Sequence, residues 1–123
     1  MSSRKMRGAI FTLSFLPALS AASAETGDAG RGAQVYQRCM SCHSPDANKV
    51  GPMHRGVFGR RAGSVADFHY SDGLRNAGFV WDEDHLDRWL ADPQALVPGA
   101  RMFFKLSDAQ QRADVIAYLK TLK

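Results

Sequence analysis

Cys39-Met40-Ser41-Cys42-His43 is the stretch on which the reading of this chain turns, because it holds the only two cysteines among 123 residues. Two thiols at this spacing, followed at once by an imidazole, admit few uses. A tetrahedral zinc site needs a second pair of ligands at a matching spacing, and no other cysteine exists to supply it. A thioredoxin-like redox pair would open a helix after a β-strand, and the flanking residues show no strand pattern. A disulfide between the two would be strained and would close almost no loop. Thioether attachment of haem c remains. Thiols one helical turn apart can add to two vinyl groups on one porphyrin edge while the adjoining imidazole reaches the iron. Cys39 and Cys42 are therefore expected to hold one haem c covalently, with His43 as an axial ligand.

An iron that only carries electrons needs a sixth ligand that does not exchange, since an open position invites oxygen or peroxide chemistry. Of five methionines, Met1 and Met6 lie at the extreme N-terminus, Met40 is inside the motif and Met53 is close in sequence to His43. Met102 follows Val97-Pro98-Gly99-Ala100-Arg101, where Pro and Gly favour an extended, turning loop able to lay a thioether against iron. A methionine that merely fills the core is the plain alternative for such a residue. His54, His69 and His85 form the other class of candidates, and none sits in a comparable loop.

The N-terminus runs from basic (Arg4, Lys5, Arg7) through an apolar block (Gly8 to Leu19) to small residues (Ser20 to Ala24), the order of a secretory signal. A membrane anchor and an organellar transit peptide compete with that reading. The block is short for a bilayer span, and it is not an amphipathic stripe. Cleavage after Ala24 is expected, leaving one domain over residues 25–123 in the periplasm. Loss of three of the 16 basic side chains would leave 13 against 12 acidic ones, a net charge near +1. Nucleic-acid binding then has no cluster of Lys and Arg to support it. A mature chain of this size has a moderately deep core, so a prosthetic group could supply much of the buried apolar surface.

Around the motif the chain reads as helical. Gly32 to His43 carries Val35, Tyr36 and Cys39 at helical spacing, so a helix is expected to end on the attachment motif. A second helix starts at Asp82-Glu83-Asp84, places Leu86, Trp89 and Leu90 on one face and stops before Pro93. A third opens with a capping box, Ser107 and Gln110, and continues through Val115, Tyr118, Leu119 and Leu122. Residues 44–80 read as Gly-rich loop without strand alternation, internal repeat or low-complexity tract.

With these residues in place the chain resembles the soluble class I cytochromes c of mitochondria and bacteria. The likeness covers nearly all of residues 28–122: Gly32 to Tyr36, Gly51-Pro52, Gly56-Val57-Phe58-Gly59-Arg60, Tyr70, Asn76, Trp81, Pro98-Gly99 before Met102, and Ala113 to Leu119. It implies an all-α fold, three main helices and loops wrapped around one covalently bound haem c, the first and last helices crossing where Gly32 meets the Tyr118 region. It implies further that the Pro52 carbonyl accepts from the ring N–H of His43, that Arg60, Tyr70 and Trp81 face the haem propionates, and that Asn76 helps hold a water near the haem. Read without the likeness, these are a loop proline, a solvated charge and core aromatics. Two departures stand out: Ala100 where the family commonly has Thr, and Trp89 where it has Tyr, each removing a hydroxyl near the haem.

The function so implied is that of a soluble, monomeric one-electron carrier with His/Met ligation, an electron-transfer protein and not an enzyme. Its expected partners are membrane redox complexes (a quinol-oxidising complex, a terminal oxidase or a reaction centre) or a soluble dehydrogenase. Two alternatives are a subunit permanently bound to a dehydrogenase and, ranked after it, a small haem c peroxidase or gas sensor with a labile sixth ligand. Arg38, Lys49, Arg101 and Lys105 match positions that the family places around the exposed haem edge, with most acidic residues elsewhere.

Overall fold

A computed structural model describes residues 8–18 and 26–123. The expected cleavage point after Ala24 lies outside them. Residues 8–18 form no helix and leave Ile10, Phe11 and Phe15 exposed.

The remainder holds five helices: α1 (Ala29–Tyr36), α2 (Asp72–Arg75), α3 (Glu83–Ala91), α4 (Pro93–Leu96) and α5 (Ala109–Thr121). The described residues contain no β-strand, only one antiparallel bridge between Arg61 and Val80. The all-α reading is correct, and three helices do most of the packing, while α2 and α4 are single turns inside stretches that read as loop.

The frame is the crossing of α1 and α5, and Gly32 makes it possible. A Cβ on Gly32 would lie 1.9 Å from the carbonyl oxygen of Asp114, so only a hydrogen lets the two backbones approach. Beside that contact Asp114, 3% exposed, clasps the helices together. Its carboxylate accepts from Arg31 Nε at 2.9 Å, from the Asp28 backbone N–H at 2.8 Å and from Gln110 Nε2 at 3.0 Å. The Arg31 hydrogen bonds hold this carboxyl well below the usual carboxylate range. Tyr36 and Tyr118 close the crossing with ring centroids 4.9 Å apart.

Two expected boundaries shift. Helix α1 ends at Tyr36 rather than running into the motif; residues 37–39 bond to carbonyls three positions back, as when Cys39 N–H donates to Tyr36. This tightening of a last turn leaves Cys39 half-buried and Cys42 exposed. Helix α5 is capped by Asp108, whose side chain accepts from Gln111 N–H, not by Ser107. Gln110 is drawn to Asp114 instead, so the capping box is not made. Helix α3 starts on Asp82 as its N-cap and stops at Ala91, close to expectation. Arg112 ties α3 to the approach of α5, donating to Asp87 and to the carbonyls of Leu106 and Ser107.

Candidate haem pocket

A cavity of about 360 Å³ lies within this frame. Cys39, Cys42 and His43 reach it from the turns after α1, Tyr70 and Leu74 from the α2 region, Trp81, Leu86 and Trp89 from α3 and its approach, and Met102 from the loop after α4. Its wall is mainly apolar. The volume falls in the range of sites that bury cofactor-sized ligands.

His43 is the most strictly arranged side chain. Its Nδ1 lies 2.8 Å from the Pro52 carbonyl oxygen. A carbonyl can only accept, so Nδ1 carries the proton and Nε2 keeps its lone pair for a metal. Burial pushes the pKa of His43 down, which further favours the neutral ring. Gly51 lets the loop pass against this imidazole, since a Cβ there would meet ring atoms at 2.1 to 2.6 Å.

The two thiols are not joined to each other. Burial raises Cys39 to about 11, so it is held as a neutral thiol, the species that adds across a vinyl double bond with its hydrogen. Met102 is half-buried on the wall, and Met53 is not among the lining residues. Of the rival histidines, His54 stacks on the His43 ring, His69 reaches the wall but is exposed, and His85 bonds to Asp82 outside the cavity.

Arg60, Tyr70 and Trp81 all line the cavity. The guanidinium of Arg60 is half-buried and donates to the carbonyls of Met53 at 2.9 Å and Arg55 at 3.3 Å, leaving further N–H groups for a carboxylate. The Tyr70 hydroxyl accepts from Val65 N–H and retains its own hydrogen for donation. Trp81 packs edge-on against Trp89, ring centroids 5.3 Å apart. Asn76 behaves differently from expectation. It is exposed, its Nδ2 donates to the Asp72 carbonyl, and it does not line the cavity. Leu74, two residues earlier, faces inward, because α2 is a single turn on which these positions lie on different sides.

Three contributors went unread in the sequence. His54 stacks on His43 with centroids 4.0 Å apart and planes 19° apart, its Nδ1 lying 3.0 Å from the Tyr36 hydroxyl. Gln94 grips the Met102 loop by its carbonyls. Leu74 replaces Asn76 at the wall. Of this pair Tyr36 shows in the sequence at helical spacing, whereas His54 lies in the stretch that reads as loop and carries no signal of their contact.

An apolar cavity with two thiols and a proton-directed imidazole on one wall, and a thioether and a guanidinium also lining it, fits a covalent haem with axial ligands and anionic substituents. The comparisons agree. The family model described as Cytochrome c matches residues 29–123. Cytochrome c2 of Blastochloris viridis is 44% identical over 119 residues, covering 94% of this chain and 93% of that protein. Cytochrome c2 of Rhodomicrobium vannielii is 46% identical over 106 residues, covering 83% and 85%. Among solved structures, cytochrome cH from Methylobacterium extorquens superposes with a TM-score of 0.75 at 45% identity, covering 77% of this chain and 99% of that one.

Proposed function

This chain belongs to the cytochrome c family, and from that footing we propose that Cys39 and Cys42 hold haem c by thioether bonds, that His43 and Met102 are its axial ligands, and that the protein shuttles single electrons between membrane redox complexes in the periplasm. It is a one-electron carrier and not an enzyme. The observation that carries the ligand reading is the 2.8 Å contact from His43 Nδ1 to the Pro52 carbonyl, which leaves Nε2 as a fixed, neutral donor.

Bound there, haem c supplies the redox chemistry, its iron passing between the ferrous and ferric states. The residues tune that change. The soft thioether of Met102 and the apolar wall disfavour added positive charge, which raises the potential relative to bis-histidine ligation. Arg60 and the hydroxyl of Tyr70 offer donors to buried carboxylates that would otherwise be costly. The half-buried Cys39 and the rigid Pro52 contact allow little rearrangement on electron gain or loss. A quinol-oxidising complex is the donor and a reaction centre or terminal oxidase the acceptor, and residues 1–24 form the leader that exports the chain. The basic, apolar, small-residue order and the exposed Ile10, Phe11 and Phe15 support the leader.

The test is Met102→Ala. Haem stays covalently attached, since attachment depends on Cys39 and Cys42. The sulfur-to-iron charge-transfer band is lost, carbon monoxide binds the reduced protein at once, and the reduction potential falls. A variant with the wild-type spectrum overturns the assignment of Met102.

A further inference from the structure

The segment that carries Met102 is the least regular part of the pocket. From Val97 to Leu106 it has no helix, it turns through Gly99 at φ 85°, and within its backbone Ala100 N–H bonds back to Val97. Beyond Arg112, which holds the Leu106 carbonyl at its far end, three side chains tie it to its surroundings, two of them its own. Arg101 donates to the His69 carbonyl at 2.9 Å and Lys105 pairs with Asp92 at 3.1 Å, both exposed, where water competes. The third is Gln94. Its amide nitrogen is 2.5 Å from the Ala100 carbonyl oxygen and 3.1 Å from that of Met102, and both contacts are part-buried.

One amide nitrogen has two hydrogens, and here each goes to a carbonyl, one on either side of Arg101. The two bonds fix the 100–101 peptide, one residue before Met102, and the 102–103 peptide, through which the chain leaves it. Gln94 can act this way because its own backbone is anchored. Asp92 caps α4 by accepting from Gln94 N–H and Ala95 N–H, and Pro93 at its first position is fully buried. The residue so gripped includes Ala100, whose side chain has no hydroxyl to hold the loop itself.

We propose that Gln94 is the positioning residue for Met102: its amide clamps the ligand loop by the carbonyls of Ala100 and Met102 and so sets how readily the sulfur gives way to a competing ligand. The inference rests on Met102 as the sixth ligand. Without the clamp the loop samples positions in which the thioether is away from the pocket, and an entering ligand finds the site open more often.

The experiment uses the ferric holoprotein at neutral pH and follows displacement of Met102 by added imidazole through loss of the sulfur-to-iron band. Gln94→Leu removes the donors, and Gln94→Glu keeps the length but sets acceptors against acceptors. Both are expected to speed displacement at least roughly ten-fold, with haem content and helical circular dichroism as in the wild type. Asp114→Asn, which weakens the distant α1/α5 clasp, serves as the control for general loosening and is expected to exchange near the wild-type rate. Gln94 variants that exchange at the wild-type rate, or no faster than Asp114→Asn, overturn the proposal alone. A wild-type protein without the band overturns the ligand reading, and this proposal with it.

Discussion

At the scale of single residues, His54 shows how a polar side chain can be kept in an apolar place. Half-buried between the His43 ring and the Tyr36 hydroxyl, it is pushed down to about 3, first by the loss of solvent around it, with the Arg60 guanidinium acting in the same direction. An unfolded histidine titrates near 6.5. Between these values the unfolded chain binds a proton that the folded one refuses, so stability is lost as pH falls from about 6.5 towards 3. Asp114 acts in the same direction further down, because its depressed carboxyl contributes stability above the ordinary carboxylate range that is lost as acid protonates it. Denaturant unfolding of the holoprotein at pH 7 and pH 4.5 should therefore show a smaller acid loss in His54→Leu than in the wild type. Equal losses would mean that His54 is charged, or free, in the fold.

Among elements, the crossing of α1 and α5 bears the most on the site, since the turns after α1 carry both cysteines and His43. Gly32→Ala puts a methyl group where the Asp114 carbonyl already sits. No flexible side chain can yield there, because the obstacle is backbone. The expected cost is about 3 kcal/mol, or a Tm roughly 12 °C lower. The low-spin spectrum should persist below the transition, because the covalent attachment does not depend on the crossing. A thermal melt within two or three degrees of wild type, by circular dichroism, would show that the helices can slide apart without loss. Helix α3 has a different task. Leu86 and Leu90 are buried and Trp89 lines the cavity, so the helix forms an inner wall, and Arg112 holds it to the approach of α5.

Across the whole molecule, charge and exposure are arranged around the cavity mouth. Val50, Phe103 and Phe104 line the cavity and are 78%, 74% and 42% exposed, an apolar opening through which a partner could come close. Arg38 and Arg101 line the cavity and Lys49 precedes Val50 in the chain; the three donate to neutral oxygens, on Gln111, His69 and Met40, so their charge is not cancelled locally. Lys105 is paired with Asp92 and contributes less. On α3 the acids are largely matched, Glu83 with Lys120 and Asp84 with Arg88. A molecule near neutrality overall can thus still orient its opening towards an acidic surface. Lys49→Glu is expected to slow electron transfer to an acidic redox partner roughly 3- to 10-fold at low ionic strength, with the difference fading as salt screens it. Asp84→Lys, on the exposed side of α3, should not slow it. Arg101 and Asp87 are poorer choices, since one holds the Met102 loop and the other anchors Arg112. Equal rates for Lys49→Glu and wild type would remove the rim from partner recognition.

The chemistry that local spacing encodes was legible in the chain before any fold was known. Two thiols and an imidazole within five residues point to covalent attachment and to one proposed ligand, because covalent reach is short. Apolar periodicity placed α3 and α5, and Pro and Gly before Met102 marked a loop. Tertiary structure alone decided the contacts between distant segments: Tyr36 with His54, Arg31 with Asp114, and the choice of Leu74 over Asn76 at the cavity wall. Gln94 lies only six and eight residues from the carbonyls it holds, yet it too was invisible, because a side-chain amide and a backbone carbonyl carry no mark of each other in sequence. Such pairs depend on the path of loops, and that path is set by which surfaces can be buried together.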